Sequence, residues 1–229
     1  MERSREQVHE RVAAVRARIA DVCSAAGRDP RAVTLVAVGK TVEAEAIGWA
    51  VEAGVVDVGE NYVQELRARH DAVPGARWHF IGTLQTSSAH HVSALADVVE
   101  TAIPGRAAER LARRAADAGR RLDALIEVDF TGERAGVAPD DVVAAADALS
   151  ALEGLGLRGL MTVAPITVDR EGARPWFRRL RELGERVRER HPDASELSMG
   201  MSSDYEVALG EGATMVRLGT ALFGARPAR

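Results

Sequence analysis

Residues 35–41 read Leu-Val-Ala-Val-Gly-Lys-Thr (LVAVGKT), and their reading decides the fold. The apolar run from Val33 to Val38 lacks polar alternation, as expected of a strand buried on both faces. It stops at a glycine, a lysine and a threonine. The next segment, VEAEAIGWAVEAG (42–54), has the spacing of a helix. A strand that runs directly into a helix is the opening half of a β-α-β unit, and this one carries a lysine at its mouth.

The same alternation continues along the chain. Strand-like runs occur at Val33–Val38, Val55–Val58, Arg77–Ile81, Asp97–Glu100, Leu122–Val128, Leu157–Met161, Glu196–Ser198 and Thr214–Leu218. Helical stripes lie between them, one marked by Val142, Ala146 and Leu149, another by Phe177, Leu180, Gly184 and Val187. Alternating strands and helices with short connections imply parallel strands and right-handed crossovers. Eight such strands predict one closed (β/α)8 TIM-type barrel spanning 1–229, with an open doubly wound sheet as the alternative. An extra N-terminal helix over 1–27 precedes it, with Val8, Val12, Val15, Ile19 and Val22 on one stripe and Gly27 as its stop.

Composition narrows the function classes. The 229 residues are 46% hydrophobic and carry a net charge of −4, so neither nucleic acid nor an anionic membrane is expected as a partner. The lone cysteine, Cys23, excludes an intrachain disulfide framework and a cysteine-rich zinc site, and its apolar setting reads as core. The adjacent pair His90-His91 does not share a helix face, so no metal site is expected. The absence of a signal-like apolar run near the start and of any membrane-length apolar stretch fits a cytoplasmic protein.

A barrel places its chemistry where strands end and loops begin, on the C-terminal face. That rule selects Gly39-Lys40, Gly59-Glu60-Asn61, Gly82, Met161-Thr162, the turn SMGMSSD (198–204) and the turn RLGT (217–220). The last two turns each run from a strand into a short helix. Paired turns of this kind bind phosphate through backbone N–H groups, with Ser202, Gly219 and Thr220 as the expected donors. Ser203-x-x-Glu206 reads as a capping box instead.

Barrel closure makes the first and last strands neighbours, which brings Lys40 close to this phosphate site. A confined lysine favours its neutral, nucleophilic form and can form a Schiff base. A sugar-phosphate aldolase or a pyridoxal 5′-phosphate (PLP) protein would use it. Arg217 shares a strand face with Gly219. It is placed to bind phosphate, to meet the pyridine nitrogen of PLP, or to form a structural salt bridge with Glu127 or Asp129.

The motifs LVAVGKT, VGENYVQEL, WHFIGTLQ, GLMTVAP, LSMGMSSDYEVAL and GATMVRLGTALFGAR, in this order, resemble those of the pyridoxal-phosphate homeostasis protein family. The resemblance runs from about residue 8 to 226. It implies a fold-type III PLP barrel, similar to the N-terminal barrel of alanine racemase and lacking the C-terminal β domain. It further implies Lys40 as the residue in aldimine linkage with PLP and Arg217 at the pyridine nitrogen. Ser202, with the backbone at Gly219 and Thr220, would hold the phosphate, and Asn61 and Met199 would line the pocket. His79 would be a buried structural histidine. No residue is assigned a catalytic role, because the racemase's second, tyrosine base has no counterpart in Tyr62 or Tyr205. The implied function is cofactor storage and delivery by a monomer, with PLP-requiring apo-enzymes as the recipients. A weak PLP-dependent racemase or lyase is the alternative.

Three positions depart from the family pattern. Gly39 stands where relatives carry serine, which suggests a lost hydroxyl contact beside the lysine. Thr86-Ser87-Ser88 replaces a stretch that usually contains asparagine and lysine. Arg134 stands where lysine is common, which excludes a second Schiff base at that place.

Overall fold

The computed structural model describes residues 3–165 and 169–225. Eight parallel strands close into a barrel in sequence order: β1 (Thr34–Val38), β2 (Asp57–Glu60), β3 (Arg77–Phe80), β4 (Val98–Ala102), β5 (Leu122–Glu127), β6 (Leu155–Met161), β7 (Glu196–Ser198) and β8 (Met215–Leu218). The closure is the pairing of β1 with β8, in which Val36 faces Arg217 and Ala37 faces Leu218. The expected closed barrel is therefore the fold, and the open sheet is not.

Helix α1 (Arg5–Ala25) starts with a reciprocal capping box between Ser4 and Gln7. It buries Val8, Val12, Val15, Ile19 and Cys23, a spacing of three to four residues that makes one continuous stripe. The helix ends before Gly27, whose φ of 66° supplies the left-handed residue at its terminus. Its stripe lies against α2 (Ala44–Glu52), α8 (Tyr205–Gly210) and α9 (Thr220–Phe223), so it covers the outside of the seam where the barrel closes. The other helices are α3 (Val63–Arg69), α4 (Ala89–Leu95), α5 (Arg106–Asp117), α6 (Val142–Ser150) and α7 (Arg174–Arg188). Both expected stripes on α6 and α7 are buried. Among the described residues, no helix is long and apolar enough to cross a membrane.

The core has two parts of opposite character. Between sheet and helices lies one apolar cluster that includes Trp78, Phe80, Leu111, Phe177 and Phe223. Each such side chain contributes about 1.5–3 kcal/mol by leaving water. Inside the barrel the apolar part is small, built on Val98, Leu125 and Met161. Polar residues share the interior, with His79, Glu100, Ser198 and Arg217 all buried there.

Three strands, β2, β4 and β6, differ from the sequence expectation by two residues at an end, the last starting at Leu155 and not Leu157. Val55 belongs to the end of α2: its N–H donates to the Ala50 carbonyl while Gly54 N–H donates to Val51, the paired bonds of a Schellman motif. The strand thus begins at Asp57 and continues through Gly59 and Glu60. Strand β4 runs past Glu100 to Ala102, and its register against β5 shifts between Val99 and Ala102. Ser203 does not cap α8. Asp204 takes the N-cap position and accepts instead from the Met201 N–H, which ties the loop before the helix.

Glycines separate into those the packing requires and those it does not. A methyl group at Gly82 would sit 1.9 Å from the Asn61 carbonyl oxygen, whereas one at Gly48, inside α2, would meet nothing within 4 Å. Gly82→Ala is expected to cost about 1–3 kcal/mol through the backbone shift it forces. Gly48→Ala should instead stabilise by about 0.5–1 kcal/mol. Denaturant unfolding of both variants checks the contrast, and equal effects would contradict this packing.

Candidate cofactor-binding site

A cavity of about 430 Å³ opens at the C-terminal end of the barrel. The two strands of the closing seam supply its floor and one wall. Alternation along β1 turns Val36 and Val38 inward, and Lys40 follows on the same side, just beyond the strand. On β8, Arg217 points inward and Gly219 follows at the rim. Val38, Lys40, Arg217, Gly219 and Thr220 all line the cavity. Asn61, after β2, and Ser202, after β7, line it as well, whereas Met199 does not.

Lys40 is held by a tight turn. Val42 N–H donates to the Gly39 carbonyl at 2.9 Å, and Thr41 between them has a φ of 62°. A β-branched residue in this region is strained, so the turn stores backbone energy next to the lysine. The ammonium lies 5.6 Å from the centre of the Tyr62 ring. Of the 30 Lys and Arg residues in the chain, Lys40 alone is a lysine. That signal was readable from the sequence without any structure.

The phosphate-type turns meet as expected. Ser202 Oγ accepts from Gly219 N–H at 3.3 Å and from Ala221 N–H at 3.2 Å. An oxygen therefore already sits where the first N–H groups of α9 converge, the position an anion's oxygen would take. Arg3, Lys40, Arg134 and Arg217 line the same cavity, and no carboxylate does so among the described residues. The charged side chains of the lining are therefore all cationic, with Arg217 and Arg134 paired to Glu100 and Glu127 outside it.

Beneath the cavity, Arg217 ends a line of buried charges. Its Nη1 donates to Ser198 Oγ at 2.5 Å and lies 3.5 Å from Glu100 Oε2. Its Nη2 donates to the Thr162 carbonyl at 2.8 Å. Ser198 Oγ donates onward to Glu100 Oε2 at 2.5 Å. The other Glu100 oxygen meets His79 Nδ1 at 2.8 Å, and His79 Nε2 meets Asp57 at 2.9 Å. Burial would drive the His79 imidazole toward its neutral form, but the two carboxylates outweigh it and raise its pKa. Burial likewise opposes ionisation of Glu100, and His79 and Arg217 overcome it and hold the carboxyl below its ordinary range. The partner of Arg217 is thus Glu100, not Glu127 or Asp129; Glu127 pairs with Arg134 at 3.3 Å.

Other expectations are corrected. Met199 is fully buried in the apolar layer between sheet and helices, because alternation turns Ser198 inward and its neighbour outward. Met201 lines the cavity instead. His79, by contrast, is the buried histidine expected, and it joins two carboxylates across the barrel. A side chain at Gly39 has no room here: its Cβ would lie 2.6 Å from Glu60 Oε1 and 2.8 Å from Ile47. The glycine instead leaves room for Glu60, whose burial raises its pKa to about 7 against the pull of Arg69.

Sequence reasoning selected Met161, an apolar wall, but missed the walls Ile81 and Val163 and the rim residues Arg3 and Phe223. It also missed Glu100, although a glutamate inside the apolar run Val98–Ala102 is itself a signal. Thr86-Ser87-Ser88 lies outside this cavity. Ser87 and Ser88 instead line a neighbouring one with Tyr62, Arg67, His90 and His91. The two histidine rings lie 3.8 Å apart, closer than adjacent helix positions suggest. Among the described residues, no group of three or more His, Cys, Asp or Glu is placed to hold a metal ion.

Comparison with known proteins agrees with this geometry. Residues 11–227 match the family model for the alanine racemase N-terminal domain. The pyridoxal phosphate homeostasis protein of Pseudomonas aeruginosa is 40% identical over 223 residues, covering 96% of each chain. That of Escherichia coli is 38% identical over 225 residues, covering 94% of this chain and 95% of the relative. The structure of PipY from Synechococcus elongatus with PLP bound superposes with a TM-score of 0.83 at 35% identity, covering 95% of this chain and all of PipY. An inward lysine, an inward arginine and a phosphate-type turn on one alanine racemase-like barrel, together with full-length relatives at this identity, lead to one conclusion: the chain belongs to the pyridoxal phosphate homeostasis protein family.

Proposed function

We propose that this chain binds PLP in the cavity above Arg217 and serves to hold and release it, not to turn over a substrate. The observation that carries the reading is the convergence of the only lysine, a buried arginine and a phosphate-type turn on one cavity. When bound, PLP supplies an aldehyde that condenses reversibly with an amine. The residues fit it. Ser202 and the N–H groups of Gly219, Thr220 and Ala221 would take the phosphate, in place of the bonds that Ser202 Oγ now accepts. Lys40 would hold the aldehyde end. Val38, Ile81 and Met161 would exclude water from the ring, with Asn61 at its edge. Arg217 would donate to the ring nitrogen.

Two features support a carrier over an enzyme. An arginine is a donor that stays charged, so it leaves the ring nitrogen without a proton and the ring a weak electron sink. Among the described residues that line the cavity, none is His, Tyr, Cys, Asp or Glu, so Lys40 has no second acid or base beside it. Tyr62 is near Lys40 but lines the neighbouring cavity. The monomeric state and a cytoplasmic location belong to the same proposal, as does delivery of PLP to apo-enzymes.

The purified protein is expected to bind PLP with a visible absorption band, and Lys40→Ala to lose that band. A wild-type protein that stays colourless with excess PLP would sink the reading. Ser202→Ala should weaken binding about tenfold, the loss of one charge-assisted hydrogen bond of about 1.4 kcal/mol, as read by equilibrium dialysis. Proton NMR of alanine in heavy water separates carrier from racemase: the carrier shows no sustained exchange at Cα, and continuous turnover would favour the enzyme.

A further inference from the structure

The line of buried charges beneath the cavity is not needed to close a barrel, and its geometry says what it does. Arg217 has five N–H donors. Nη1 is engaged by Ser198 and Glu100, and Nη2 by the Thr162 carbonyl. Among the described residues Nε has no protein acceptor, and it is not one of the buried polar atoms left without a partner, which leaves it reachable on a residue that lines the cavity. The guanidinium is thus tied down along one edge and open along the other.

That orientation has competitors. The charges of Glu127 and Asp204 also act on Arg217. Glu100 wins because it is fixed in turn. One of its oxygens takes the Ser198 hydroxyl, and the other takes His79 Nδ1. His79 cannot turn away, since its second nitrogen is bound to Asp57. An ionised carboxylate only accepts, so both ring nitrogens donate and the ring is an imidazolium. Asp57, His79, Glu100 and Arg217 then alternate in sign and sum to zero, which is what makes four charges tolerable in a barrel core.

We infer that Glu100, braced by His79, is a positioning residue that pins the Arg217 guanidinium so that Nε faces the ring nitrogen of the cofactor. The inference rests on the cofactor reading above for what lies over Arg217, but the pinning itself is a property of the empty protein. Loss of the Glu100 charge frees the guanidinium to turn toward Glu127 or Asp204. Loss of the His79 charge leaves Glu100 free to draw closer to Arg217 and tilt it. Either way, the donor at the ring nitrogen is displaced while Lys40 and the phosphate turn are untouched.

The test uses the full chain with Glu100→Gln and His79→Asn, and Ser198→Ala as the mildest variant should the first two fail to fold. In the protein without cofactor, the Arg217 Nη signals in 15N NMR are assigned by their loss in Arg217→Lys. They should be split in the wild type, from hindered rotation, and merged in the variants. With PLP, the variants should still be trapped by borohydride at Lys40, but with a shifted absorption band and affinity about tenfold weaker. Val98→Ala, in the apolar part of the same interior, should lower stability and shift neither the band nor the NMR signals. Split Nη signals that persist in every folded variant would overturn the inference. A wild type that binds no PLP would refute the cofactor reading and leave the NMR comparison to decide the pinning. A band and affinity unchanged in variants whose Nη signals have merged would overturn the link from the pinning to the cofactor.

Discussion

The pairing of β1 with β8 is the constraint on which the rest depends. Lys40 and Arg217 are far apart in sequence and lie on the first and last strands. Only closure, with Val36 opposite Arg217, makes them walls of one cavity. An open sheet would leave them at opposite edges. Helix α1 reinforces the seam from outside by packing on α2, α8 and α9, the helices that flank it. The extra N-terminal helix thus shares in holding the site, although only Arg3, ahead of it, reaches the cavity rim.

The barrel interior departs from the usual branched apolar filling. Replacing valines and leucines by a histidine, a glutamate and an arginine costs desolvation that hydrophobic packing would not. The compensation is local and nearly complete. Each oxygen of Glu100 and each nitrogen of His79 has a partner, and the arginine uses a backbone carbonyl as well. Among the described residues Nε of Arg217 is the exception, and Arg217 lines the cavity. A fold that accepts this cost in its core presents a fixed positive donor at the place where a cofactor ring would lie.

Much of this was legible in the sequence. LVAVGKT read correctly as a buried strand leading into a helix, and the spacing of eight such runs gave the barrel. Ser202, Gly219 and Thr220 were found because turns after strands obey a rule that needs no tertiary detail. What failed was any reading that depends on which way a side chain points at a strand end. Met199 faces outward because Ser198 faces inward, and a side chain at Gly39 would run into Glu60. The salt-bridge partner of Arg217 was also misjudged. Glu100 sits beside a register shift in β4, which a one-dimensional pattern does not display. Val55 was lost to the helix end for a similar reason, since its N–H completes a Schellman pair.

The central claim is that one lysine, held by a strained turn at the seam of the barrel, is where PLP attaches. Borohydride reduction of the PLP-loaded protein, followed by peptide mapping in a mass spectrometer, tests it most directly. Because the chain contains no other lysine, the account predicts a single phosphopyridoxyl group, on Lys40. A label found only on the N-terminal amine, or no label on a protein saturated with PLP, would contradict it.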